Sequence, residues 1–88
     1  MRGYIGIIHK DDDSDFGISF PDFPGCISAG ATLDGTLAMG REALAGHIAV
    51  MAEDGEAIPE PSTMEAVVAD PVWQDGTPVW VPVRSSRS

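Results

Sequence analysis

Apolar residues recur along this chain with two periods, and the change of period divides it. From Tyr4 to His9 the residues are β-branched or aromatic, which predicts a strand. Lys10-Asp11-Asp12-Asp13-Ser14-Asp15 is polar and turn-forming, so it predicts a hairpin loop. Phe16, Ile18 and Phe20 then alternate with Gly17 and Ser19, which predicts a half-buried strand whose other face is free. Pro21-Asp22-Phe23-Pro24-Gly25 cannot carry a regular ladder, because two prolines fix φ and remove donors. Pro24-Gly25 suits the centre of a type II turn. Cys26 to Gly30 reads as a short third strand.

The period then lengthens. Leu33, Leu37, Leu44, Ile48 and Met51 fall in one arc at 3.6 residues per turn, so a helix from Leu33 to about Glu53 is predicted with these residues facing the core. Thr32 is the expected N-cap, with Asp34 in the first turn, and Gly55 the expected C-terminal cap. A second arc, Met39, Ala43, Gly46 and Val50, is small and apolar where a solvent face would be charged. It is either an Ala-rich outer face or a packing surface for another subunit. Gly40 and Gly46 each weaken the helix by about 1 kcal/mol relative to Ala, so packing has to supply part of its stability.

Ala57 to Pro61 is a proline-stiffened connector. Ser62, with Glu65 three residues on, predicts a short capped helix to about Val68. Asp70-Pro71 stops it, Asp75-Gly76 turns, and Val79 to Val83 is a last strand, with Pro82 pointing to an edge. Arg84 to Ser88 is expected to be a disordered tail. The fold class predicted is α+β: order β-β-β-α-α-β, a small, mainly antiparallel sheet with one long and one short helix on one face, residues 1–83 forming one domain.

Charge narrows the function. Fourteen Asp and Glu against five Lys and Arg give −9. A field of that sign repels phosphate backbones and attracts basic proteins. The single cysteine, Cys26, excludes an internal disulfide framework, and no apolar run suits a signal peptide or a membrane helix, so a cytoplasmic protein is expected. The aspartate cluster lacks the glycine and downstream Glu of a calcium loop. His9 and His47 have no neighbour at zinc-ligand spacing, and Cys26 has no flanking pattern of a nucleophile. No glycine-rich phosphate loop is present. Trp73 and Trp80 flank the last turn: one is expected to fill the core edge, and an exposed one would be a candidate anchor for a partner. No catalytic, cofactor or metal residues are expected.

Phe20-Pro21-Asp22-Phe23-Pro24-Gly25-Cys26 closely resembles the HicB antitoxin family. The resemblance continues through Gly30-Ala31-Thr32-Leu33, the long Ala/Leu helix and Ile58-Pro59-Glu60-Pro61-Ser62, and covers roughly residues 4–83. It implies a degraded ribonuclease-H-like fold without catalytic work. The implied role is an antitoxin that binds a small basic HicA-type toxin, which cleaves mRNA, and occludes its active site. Dimers or tetramers are implied as well. Many members carry a C-terminal DNA-binding domain; the chain here stops at Ser88, so no DNA binding is expected of these residues. The expected contact surface for the toxin is Asp11, Asp12, Asp13, Asp15, Asp22 and Phe23, the loop supplying attraction and Phe23 an apolar anchor. The expected oligomer surface is the arc of Met39, Ala43, Gly46 and Val50. The competing readings are an interaction scaffold with a non-toxin partner and a metal-dependent nuclease, the latter disfavoured because the carboxylates gather in one loop and at helix ends.

Overall fold

The computed structural model describes residues 2–10 and 15–83. Four strands form one antiparallel sheet in the order β3-β2-β1-β4: β1 Arg2–Lys10, β2 Phe16–Ser19, β3 Ile27–Gly30 and β4 Thr77–Val83. Between β3 and β4 lie a 21-residue helix, α1 (Leu33–Glu53), a short helix, α2 (Met64–Ala69), and one 3-10 turn (Pro71–Trp73). The α+β class and the element order are those the periodicity predicts.

Register follows from the pleat. Ile8 pairs with Ile18 and Tyr4 with Val81, so one face of the sheet gathers Tyr4, Ile8, Ile18, Phe20 and Val81 under Leu44 of α1. We call this the front. Ile5 and Ile7 alternate with Tyr4, Gly6 and Ile8 and point to the back, where they are buried with Val67 of α2 and packed by Trp73. The expectation of both helices on one face therefore fails, and so does that of a free second face. β1 is the cause, since Tyr4-Ile5-Gly6-Ile7-Ile8 has no polar position. A strand apolar on both sides needs a layer on each.

The helix ends obey local chemistry. Thr32 Oγ1 accepts the Gly35 N–H at 3.0 Å. At the other end the Gly55 N–H reaches the Ala52 carbonyl at 3.2 Å and the Glu56 N–H the Met51 carbonyl at 2.9 Å, with Gly55 at φ 72°. That is the Schellman arrangement, which satisfies carbonyls left over at the helix end. α2 is capped by Thr63, whose hydroxyl accepts the Ala66 N–H, and not by Ser62, whose hydroxyl is engaged elsewhere.

The buried arc of α1 is also shifted. Thr36, Gly40 and Leu44 are its buried residues, whereas Leu33, in the first turn, is exposed. Thr36 is accommodated because its hydroxyl donates to the Thr32 carbonyl at 2.7 Å. Gly40 sits directly on the sheet: a Cβ there would stand 2.8 Å from Cγ2 of Ile18. The cost of glycine in mid-helix is offset by this close approach. Pro78 and Pro82 lie on β4, an edge strand, where a missing N–H breaks no interior ladder.

Candidate functional site

The segment from Phe20 to Cys26 is two turns in succession. The Phe23 N–H donates to the Phe20 carbonyl and the Cys26 N–H to the Phe23 carbonyl, both at 3.0 Å. Gly25 takes φ 90°, which the third position of a type II turn requires. The double turn drives Phe23 inward. Its ring meets Tyr4 edge-on at 4.7 Å and His47 of α1 at 5.7 Å, and only 2% of its surface is exposed. Phe23 is therefore not a surface anchor. It is a core residue joining β1, the turn and α1.

Asp22 turns toward the connector. One carboxylate oxygen accepts the Ser62 N–H at 2.9 Å and the other the Ser62 hydroxyl at 2.5 Å. Both oxygens are engaged within the chain, so Asp22 acts as a clasp and is not a free charge for a partner. Tyr4 adds a second clasp, its hydroxyl donating to the Pro59 carbonyl at 2.7 Å. These bonds span 40 and 55 residues and seat the connector where it passes from the front layer to the back. Periodicity has no means of registering such contacts.

Of the predicted acidic loop, Asp11, Asp12 and Asp13 lie outside the described residues, and Asp15 is exposed just before β2. The predicted oligomer arc is exposed at Met39, Gly46 and Val50, while Ala43 is half-buried against the core. Beside it Ile27, 68% exposed at the start of β3, completes a shallow cavity of about 340 Å³ with Ala43, Gly46, His47 and Val50.

Sequence reasoning missed a second apolar surface, on the back. Met64, Val68 and Val72 recur every four residues along α2 and the 3-10 turn, and all three are exposed. Trp80 is exposed on the same sheet face, its ring covering Gly3, while Trp73 is half-buried against Ile5, Ile7 and Val67. The expectation that one tryptophan fills the core edge is met by Trp73, and Trp80 is the exposed one. The apolar excess of Met64, Val67, Val68 and Val72 over so short a segment is the signal that could have found the rest, since the extended Asp70 breaks the helical period between Val68 and Val72.

Among the described residues, reactive side chains do not come together. Cys26 is buried, and burial pushes its thiol above the ordinary value. A nucleophilic thiol requires the opposite shift. His9 lies 3.2 Å from the Ser19 hydroxyl and His47 packs against Phe23, so the two imidazoles serve separate local contacts. Among the described residues no three His, Cys, Asp or Glu side chains form a metal-holding group. No described helix is long and apolar enough to cross a membrane.

Comparison with known proteins bears on the same residues. The chain matches the family described as HicB-like antitoxin of bacterial toxin-antitoxin systems over residues 4–87. It is 38% identical over 68 residues, 77% of its length, to an uncharacterized 14.9 kDa protein of the rep-hol intergenic region of Haemophilus phage HP1, strain HP1c1, and spans 50% of that relative. The crystal structure of the Burkholderia pseudomallei antitoxin HicB is similar at a TM-score of 0.87 and 37% identity, covering 98% of this chain and 66% of that one. The N-terminal domain of the same antitoxin, solved alone, is similar at 0.84 and 36% identity over 94% of this chain and 99% of that domain. A chain in a HicA3 and HicB3 toxin-antitoxin complex is similar at 0.79 and 28% identity, over 94% of this chain and 99% of that one.

Proposed function

The chain belongs to the HicB-like antitoxin family, and from that premise we propose that it acts by binding a small basic HicA-type toxin and occluding its active site, without turnover of its own. The observation that carries this reading is likeness over 94% of this chain to a chain of a HicA3 and HicB3 toxin-antitoxin complex. Charge supports it: a protein at −9 attracts a cationic surface and speeds the encounter.

Asp15, with Asp11, Asp12 and Asp13, supplies long-range attraction in this account. Asp22 and Phe23 contribute indirectly, by fixing the double turn and the connector. Self-association uses the outer arc of α1, with Ile27 added to Met39, Gly46 and Val50, because small residues there let a second backbone approach. The complex forms in the cytoplasm, where an mRNA-cleaving toxin acts.

Co-expression tests the reading. A HicA-type toxin encoded beside this chain is induced alone and together with it. Restored growth and co-purification of the two proteins are expected. Persistent toxicity with soluble chain present, or metal-dependent RNA cleavage by the chain alone, contradicts the reading.

A further inference from the structure

The back layer differs from the rest of the molecule in both polarity and charge. Three carboxylates, Glu65, Asp70 and Asp75, and none of the five Lys and Arg, fall between Met64 and Val83. The described cationic side chains belong to the front: the Lys10 ammonium stands 5.7 Å over the ring of Phe16, and Arg41 is on α1. α2 and the turn after it therefore present Glu65, Asp70 and Asp75, all exposed, with no described Lys or Arg on that face.

Among those carboxylates lies an apolar surface with relief. The Val67–Trp73 ridge is flanked by two open concavities. One, of about 360 Å³, is bounded by Val72, Ala66 and Pro21, and the other, of about 180 Å³, by Val68, Ile7 and Pro78. Val72 is 73% exposed, Val68 57% and Trp80 55%, although Val72 and Val68 line concavities with the buried Val67 and Trp80 pairs with Ile5 across the strands. Large apolar side chains inside an anionic rim are the composition of a protein interface: a desolvated centre with charges that steer approach.

We propose that this face, Val68 and Val72 with Met64 and Trp80 inside the rim of Glu65, Asp70 and Asp75, is the docking surface for the basic protein partner. The inference rests on the toxin-binding reading above and assigns that reading its surface. Charge selects the occupant. A second copy placed here in an isologous contact would set these carboxylates against themselves, and a nucleic acid would meet like charge. A protein offering an apolar side chain among Lys and Arg meets both requirements.

The test uses the full chain and a catalytically inactive form of the HicA-type toxin, with affinity measured by calorimetry. Three variants are compared with the unaltered chain: Val68→Asp/Val72→Asp, the charge reversal Glu65→Lys/Asp70→Lys/Asp75→Lys, and Ala45→Asp, at an exposed position of α1 outside the self-association arc. Thermal melts establish that each is folded, and Trp80→Ala is a fourth variant should the double Val variant not fold. Loss of at least tenfold in affinity for the back-face variants, with Ala45→Asp unchanged, is expected. The charge reversal should also flatten the salt dependence of the association rate. Toxin binding that is unaffected by the back-face variants overturns the surface and leaves the antitoxin reading standing. Failure of the unaltered chain to bind the toxin removes both. Concentration-dependent self-association abolished by Val68→Asp/Val72→Asp also overturns the proposal, since the face would then belong to a second copy.

Discussion

The two faces of this sheet solve the same burial problem to different extents. The front carries a 21-residue helix that approaches closely enough to need glycine at position 40, and it encloses Tyr4, Phe20, Phe23 and Leu44. The back carries six helical residues and one 3-10 turn, which cover Ile5 and Ile7 and leave their own apolar side chains in water. On the docking proposal above, completeness of cover separates the part of the molecule that holds the fold from the part left free to bind. The front core is closed under α1, whose outer side still exposes Leu33, Met39 and Val50. The back has an apolar surface in excess of what its own packing uses.

The largest expected effect tests that asymmetry directly. Leu44→Ala, at a fully buried front position, is expected to cost about 3 kcal/mol in urea unfolding. Val67→Ala, its buried counterpart on the back, should cost about 1.5 kcal/mol, from two methyl groups lost beside a half-open surface. Equal costs per carbon removed would mean that the back is as tightly packed as the front.

The clasp between the layers comes next. Asp22→Ala leaves the Ser62 N–H and hydroxyl without their acceptor and should cost about 2 kcal/mol. Hydrogen exchange is expected to speed up in the connector and α2 well before α1. Uniform acceleration across both layers would show that the clasp supports the whole fold and not the back layer alone.

Smaller effects sharpen the contrast within α1. Gly46 has open space around it, so Gly46→Ala should raise stability by roughly 0.5–1 kcal/mol. Gly40→Ala should lower stability despite the same gain in helix propensity, because its Cβ meets Ile18. Opposite shifts in the melting temperature are the expected result, and parallel shifts would place Gly40 away from the sheet.

The smallest effect concerns Cys26. Burial raises its thiol, so the folded protein holds that proton more tightly than the unfolded chain does. This contribution is fully present below the ordinary value of 9.0 and is lost as pH rises through the raised one. Alkaline titration should therefore reduce stability in that range less in Cys26→Ala than in the unaltered chain. A thiol reagent should label Cys26 slowly in the folded protein and rapidly after unfolding.

Much of this architecture is legible in sequence because it is local. The alternation of Phe16, Ile18 and Phe20, the cap at Thr32, the Gly55 terminus and the Pro24-Gly25 turn each depend on a few neighbouring residues. The errors share one cause, contact between distant segments. Hydropathy ranks Leu33 above Thr36 and Gly40, but the sheet below α1 admits a small residue and excludes a large one. Ser62 has the chemistry of a helix cap and spends it on Asp22. Phe23 looks like an exposed anchor beside two prolines, and the double turn places it in the core. The alternation of Phe16 to Phe20 implies a free second face, whereas Ile5, Gly6, Ile7 and Ile8 on the neighbouring strand mark a sheet apolar on both sides. Resemblance gave the family and its implied partner, but not the surface that meets it.

The central claim is occlusion of a basic toxin by a chain that performs no chemistry. Titrating purified chain into a fixed amount of active HicA-type toxin, with cleavage of a labelled RNA as the signal, measures it most directly. The account predicts a linear fall to zero cleavage at a fixed stoichiometric ratio. Cleavage that persists at excess chain, or that grows as chain is added, would contradict it.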